Sequence, residues 1–314
     1  MSENINKESN FISAVVYVHN AEKSLERFLN MLQTFLNHSY KKYEIICVND
    51  ASTDGSAELI RKFAENLEGT TISVLSMSYF QGLELSMDAG VDLSIGDFVY
   101  EFDSTVISYP ADMMERVYRR CLEGFDIVAA CPKDSGHRLS NAFYTIYNRN
   151  SSAQYPLRTE AFRILSRRSI SRVQSMSKTI PYRKAIYANC GLPTDALYYE
   201  QEAPLPVARA EERANQKETA TDALILYTNI AYQFAMRFSV LMMLITIGVA
   251  IYSLITYLTI HPVAGWTTTI LFLSFCFFGI SVLLTILVKY AALILKTVFT
   301  RQRYVVESIV KYGK

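Results

Sequence analysis

Three oxygen-bearing side chains recur at a spacing of two near residue 100: Glu101, Asp103 and Thr105. Alternate residues of a strand share one face, so acids two apart at a strand end can offer converging oxygen ligands to a divalent cation. Asp103 is common to either pair, with Thr105 or Glu101 as its companion. A local reading competes: Asp103 caps the turn that follows, and Glu101 meets an arginine. Two more polar clusters, His19-Asn20 and Asn49-Asp50, each follow a short apolar run. Further on, Glu160 and Arg163 stand three apart, and a guanidinium is a bidentate fork suited to phosphate. His19, His38, His137 and His261 are isolated, and Cys47, Cys121, Cys131, Cys190 and Cys276 form no CxxC pair. No nucleophilic triad, zinc site or disulfide framework is therefore indicated, and a reducing compartment fits best.

Residues 11–18 (FISAVVYV) form an apolar, β-branched run suited to a buried strand, and residues 21–36 carry a helical stripe of Leu25, Phe28, Leu29, Leu32 and Phe35. A second strand over 43–48 ends in Asn49-Asp50, and a helix follows over 56–67, with Ser52 or Asp54 as its cap. A third strand over 71–75, a helix over 82–94 and a fourth strand over 97–102 lead to Asp103. Alternation of this kind predicts an α/β fold, a mostly parallel sheet with helices on both faces. Ligands of such sheets bind outside the carboxyl ends of the strands, where all three polar clusters fall.

The 314 residues carry 31 Lys+Arg against 30 Asp+Glu, a balance that gives no reason to expect nucleic acid. Residues 1–13 lack an apolar core, so no cleaved signal peptide is expected. Two uncharged runs, 238–260 and 269–288, are each long enough to cross a hydrocarbon core about 30 Å thick. Buried core helices are the competing reading. The joint at 261–268 has no Lys or Arg, whereas Arg237 precedes the first run and Lys289, Lys296, Arg301 and Arg303 follow the second. The positive-inside rule puts the joint outside and both flanks in the cytoplasm, on an inner membrane crossed by two helices. Apolar residues at helical spacing before the first run (Leu224, Tyr227, Ile230, Ala231, Phe234) suit either an interfacial helix or an ordinary core-facing one.

Residues 11–115 resemble a family 2 glycosyltransferase of GT-A fold. The carriers are VVYVHNAEKSLERFLNML after the first strand, NDASTDGS at 49–56 where the family has Asp-Asp-Gly-Ser-x-Asp-Gly-Ser, and GDFVYEFDST at 96–105 where it has Gly-Asp before a DxD. SNAFYTIYN at 140–148 and EAFRILSRRSI at 160–170 resemble the polyprenyl-phosphate subgroup, the dolichol-phosphate-mannose-synthase and GtrB-like enzymes. The resemblance implies a sugar nucleotide, UDP- or GDP-linked, as donor and a polyprenyl phosphate as acceptor. It implies nucleotide contacts from Tyr17, Asn20, Glu22, Asn49 and Asp50, and Mg2+ or Mn2+ on Asp103 with Thr105 or Glu101. Asp103, Glu160 and Arg163 would face the transferred sugar and phosphates, and a homo-oligomer is in keeping with the subgroup's two-helix anchors. The organisation expected is a cytoplasmic GT-A domain (1–222), an interfacial helix (223–237), membrane helices (238–260 and 269–288) joined by an external linker (261–268), and a basic cytoplasmic tail (289–314). Departures stand at Tyr17 for Pro, Asn49 for Asp and Thr105 for Asp. At 198–218 the subgroup's spaced Tyr and Arg give way to intruding acids. These departures motivate an alternative: a fold that has lost turnover and serves as a binding or assembly partner.

Overall fold

The computed structural model describes residues 7–66, 70–134, 138–151, 153–176, 182–201, 210–228, 230–260, 265–298 and 304–313. Two compact units emerge, Met1–Thr221 together with Thr300–Lys314, and Asp222–Phe299.

In the first unit the expected alternation is present. β1 (Glu8–Val18) leads to α1 (Glu22–Ser39), β2 (Tyr40–Asn49), α2 (Ser56–Glu65), β3 (Thr71–Met77), α3 (Leu83–Leu93) and β4 (Phe98–Phe102). Then come α4 (Met113–Leu122), β5 (Ile127–Pro132), α5 (Arg138–Asn150), β6 (Phe162–Ser166), α6 (Arg167–Met176), α7 (Arg183–Asn189) and β7 (Thr194–Tyr199). Burial explains why the early elements were legible. Residues 12 to 18 of β1 are all buried, and α1 turns Leu25, Phe28, Leu29, Leu32 and Leu36 into the core, with Phe35 packed at its margin.

Eight strands form one sheet in the order β7-β5-β6-β4-β1-β2-β3-β8. β1 to β4 pair in parallel, while β6 runs antiparallel between β4 and β5. The register sets Val18 beside Asn49 and Val16 beside Phe102, so the three polar clusters leave the sheet at one end. β6 enters from the opposite direction and lays Arg163 against Glu101.

An eighth strand lies within the segment expected as the basic tail. β8 (Val306–Tyr312) pairs antiparallel with β3, with Val74 opposite Val310 and Ser76 opposite Ser308. VESIVKY is β-prone and fills the open edge of β3.

The second unit is a helical pair. α8 (Ala210–Tyr227) begins in the first unit, and a break at Thr228 separates it from α9 (Ile230–Ile260), which is followed by α10 (Trp266–Val298). The separate helix expected over 223–237 is thus divided between the end of α8 and the start of α9. Met236–Thr259 and Trp266–Ala291 have mean hydropathies of 2.3 and 2.6, with only 11% and 6% of those windows buried. Apolar side chains that face outward over this length argue against core helices and suit a membrane. Ser239 donates to the Ser281 carbonyl (3.0 Å) and accepts from the Thr285 hydroxyl (2.6 Å), polar ties within an otherwise apolar pair.

Candidate active site

At the carboxyl ends of β1 and β4 lies a cavity of about 470 Å³, within the range of small-molecule sites. Tyr17 and His19 come from the end of β1, Asn20 to Ser24 from the entry to α1, Phe80 and Leu83 from the β3–α3 joint, and Asp103 to Val106 from the end of β4. The remaining wall is Asp54 and, from α8, Glu212, Asn215 and Gln216.

The two loops at this end are tied to each other. Asn20 stands at φ 50° and Ala51 at φ 48°, left-handed values that cost a side-chain-bearing residue about 1 kcal/mol or more. Asn20 is compensated: its Oδ1 accepts from the Thr53 amide (2.7 Å), the Thr53 hydroxyl (3.1 Å) and the Asp54 amide (3.2 Å). Ala51 sits where the resembling loop has glycine, and its left-handed backbone shows why. The first amides of α1 are used as well, Ala21 by the Ser56 hydroxyl (2.8 Å) and Glu22 by Asp54 Oδ2 (3.2 Å), while the Glu22 carboxylate accepts from the Gly55 amide (3.2 Å).

Asp50 is not among the residues that line the cavity. It is fully buried, and its carboxylate accepts from the Gln81 amide (2.8 Å), the Gly82 amide (2.8 Å) and the Tyr17 hydroxyl (3.0 Å). The neighbouring Asn49 turns inward to accept from the Ser52 amide (3.2 Å). Of the five expected nucleotide contacts, Tyr17, Asn20 and Glu22 line the cavity, whereas Asn49 and Asp50 shape its loops. Burial first, and then the Asp50 charge, raises the Tyr17 phenol far above its ordinary value, so it stays a donor.

Behind Asp103 is a sealed charge network. Arg163 donates through Nη1 to Glu101 (2.8 Å), Nη2 to Asp103 Oδ2 (2.9 Å) and Nε to Glu160 (2.8 Å). Arg183, at the start of α7, donates through Nη2 to Asp103 Oδ1 (2.8 Å) and Nε to Glu84 (3.0 Å). Its Nη1 is 3.0 Å from Glu101 Oε2, an ion pair without an aligned hydrogen bond. The other oxygen of Glu101 accepts from the Tyr187 hydroxyl (2.7 Å). Both arginine side chains are 1% exposed and Glu101 is 0%. Burial pushes the Asp103 carboxyl up, but Arg163, Arg183 and Lys184 outweigh it and hold the group well below the usual carboxylate range. The local alternative for Glu101 is thus realised twice over, by two arginines.

This donor set does not fit the expected cation. Each Asp103 oxygen already faces a guanidinium, Glu101 is sealed behind it, and the Thr105 hydroxyl is 2.6 Å from Ser24 Oγ. No group of three or more His, Cys, Asp or Glu side chains suited to a metal ion occurs among the described residues. Glu160 and Arg163 are not among the cavity's lining residues; Arg163 is joined to it through Asp103, and Glu160 through Arg163. Sequence reasoning missed Glu84, Arg183, Phe80 and the α8 wall. The acids intruding near 211 were the one available signal for the last, since Glu212 lines the cavity. Arg167 and Arg168 are structural: Arg167 donates to the Gly96 carbonyl (2.6 Å), and Arg168 pairs with Asp126. His137 and His261 fall outside the described residues.

A family model described as "Glycosyl transferase family 2" matches residues 13–174, more than half of the chain. An uncharacterized glycosyltransferase of Synechocystis sp. is 25% identical over 198 residues, which is 61% of this chain and 61% of that protein, under two thirds of the relative's length. The undecaprenyl-phosphate 4-deoxy-4-formamido-L-arabinose transferase of Edwardsiella ictaluri is 23% identical over 324 residues, 97% of this chain and 96% of that protein. Among solved structures, a mannosyltransferase from Pyrobaculum calidifontis, in complex with GDP-Man and Mn2+, superposes with a TM-score of 0.51 at 13% identity, covering 69% of this chain and 63% of that one. The likeness at that identity concerns the fold, which is GT-A.

Proposed function

As the chain belongs to glycosyl transferase family 2, we propose that it is an active glycosyltransferase that moves a sugar from a UDP- or GDP-linked donor to a polyprenyl phosphate at the cytoplasmic face of a membrane. The observation that carries this reading is the cavity at the sheet's carboxyl end, with Tyr17, Asn20, Glu22 and Asp103 on its walls. The relatives include an enzyme named for transfer with undecaprenyl phosphate, and two apolar helices would bring such a lipid within reach. The chain leaves the sheet unit at residue 221 and rejoins it at residue 300. The basic residues that flank the two apolar runs favour the cytoplasm for both flanks.

In the reaction, an oxygen of the lipid phosphate attacks the anomeric carbon as its bond to the nucleotide diphosphate oxygen breaks, with inversion at that carbon. The nucleophile is already ionised, so a strong general base is unnecessary. Asp103 is likewise held as a carboxylate by its arginines, and it stands at the cavity wall as a fixed negative group that can receive hydroxyls of a bound sugar.

The test is transfer from radiolabelled UDP- and GDP-sugars to undecaprenyl and dolichyl phosphate by the full chain in detergent, with Mn2+ and with EDTA. Labelled lipid from one donor, in both arms, is the expected result and would remove the alternative of a turnover-less assembly partner. Failure of every donor with both lipids would sink the reading.

A further inference from the structure

The strand that returns after the helical pair is hydrogen-bonded to the wall of the cavity through one side chain. Beyond Met77 the backbone of β3 turns away, yet its ladder with the carboxy-terminal segment continues. The Ser78 amide donates to the Val305 carbonyl (3.2 Å), and the Gln81 side chain then takes over. Its Nε2 donates to the Val305 carbonyl (2.7 Å), and its Oε1 accepts from the Val305 amide (2.9 Å). A primary amide carries one donor edge and one acceptor, so Gln81 pairs with Val305 as a neighbouring peptide would. The main-chain amides of Gln81 and Gly82 meanwhile close on Asp50, which holds the Tyr17 hydroxyl. Phe80 and Leu83, on either side of this pair, line the cavity, and the Phe80 ring lies 4.6 Å from that of His19. Gly82 completes the fit: at φ 84° a Cβ there would come within 2.4 Å of Asn215 Oδ1 on α8.

We propose that Gln81 is a positioning residue that ties the carboxy-terminal strand to the nucleotide cavity, so that nucleotide affinity depends on chain more than two hundred residues beyond the cavity's first wall. The inference rests on the reading of this cavity as a nucleotide site. Without the Val305 partner, the Phe80–Leu83 segment loses one of its anchors, with Asp50, α8 and the His19 ring remaining, and the apolar wall against the base loosens. No contact of Gln81 with ligand is required.

The experiment compares the full chain in detergent with Gln81→Ala, Val305→Pro and, as a control, Tyr304→Phe. Val305→Pro deletes the amide that donates to Gln81 but leaves the carbonyl. The Tyr304 hydroxyl donates to Asp92 (2.9 Å), which ties the same segment to α3 rather than to the cavity loop. UDP and GDP affinities are measured by calorimetry, thermal midpoints by scanning, and amide exchange across residues 78–84 by mass spectrometry. Gln81→Ala is expected to weaken nucleotide binding about tenfold and Val305→Pro about threefold, with faster exchange over 78–84. Tyr304→Phe should leave affinity unchanged whatever its midpoint. Wild-type affinity in Gln81→Ala overturns the proposal, as does a loss shared by Tyr304→Phe in proportion to stability. A wild-type chain that binds neither nucleotide overturns the cavity reading and with it the claim on affinity. Exchange over 78–84 then decides the tie itself: acceleration in Gln81→Ala upholds it, and no change refutes it.

Discussion

Asp50 and Asp103 are both carboxylates at the carboxyl tips of parallel strands, and they do different work because they meet different donors. Asp50, after β2, accepts from two backbone amides and a phenol. It is a single charge dispersed over neutral dipoles, and what it organises is backbone. Asp103, after β4, lies between two guanidiniums that also serve Glu84, Glu101 and Glu160. It is one member of a charge lattice and keeps a face toward the cavity. Two acids that look equivalent in a motif thus become a loop clamp and a cavity wall.

The largest expected effect falls on the lattice. Arg183→Met leaves Glu84, Glu101 and Asp103 short of a cation in a sealed site, and breaking a buried pair in this way costs about 3–5 kcal/mol. Urea unfolding of the full chain should show a loss of that order, and a loss below about 1 kcal/mol would mean that water reaches these acids. Asp50→Asn is expected to cost less, about 1–3 kcal/mol, since its amide nitrogen can face only one of three former donors. Its further signature is weaker nucleotide binding, because the clamp holds the Phe80–Leu83 wall. A cost equal to that of Arg183→Met would erase the distinction between the two tips.

The pH response sharpens the contrast. Asp103 is held below its ordinary value of 3.8, so its contribution is fully present above about pH 4 and fades as pH falls further, by at most about 1.4 kcal/mol per pH unit. Asp103→Asn should be less stable at pH 7, and its gap from the wild type should narrow below about pH 4. A gap constant down to pH 3 would contradict the role of the two arginines. The smallest effect belongs to the loop beside Asp50. Ala51→Gly relieves a left-handed alanine and should raise stability by roughly 0.5–1 kcal/mol, whereas a loss would show that the φ of 48° carries little strain.

The early strands and helices could be read from the sequence because burial alone writes them. Alternate residues of β1 and β2, and those three or four apart on α1, are committed to one core. The cavity was legible as far as the register could carry three polar clusters to one end. What stayed hidden were groups without a local signature. The donors that close Asp50 are backbone amides, present at nearly every position and selected only by the turn at Gly82. Arg183 lies in an unremarkable stretch, and its partners Asp103 and Glu84 are 80 and 99 residues away. β8 follows a basic segment and, as an edge strand, keeps five of its seven residues exposed, so its apolar pattern is weak.

The place of that last strand in the chain has a consequence for biosynthesis. β3 leaves the ribosome more than two hundred residues ahead of its antiparallel neighbour, an interval of roughly 10–45 s at ordinary elongation rates. Through that time TISVLSM presents an open, β-prone edge, and both apolar helices are synthesised before the strand that covers it. Synthesis that stalls in between would therefore leave an adhesive, unfinished sheet, and a cell would benefit from finishing the chain quickly or shielding that edge in the meantime.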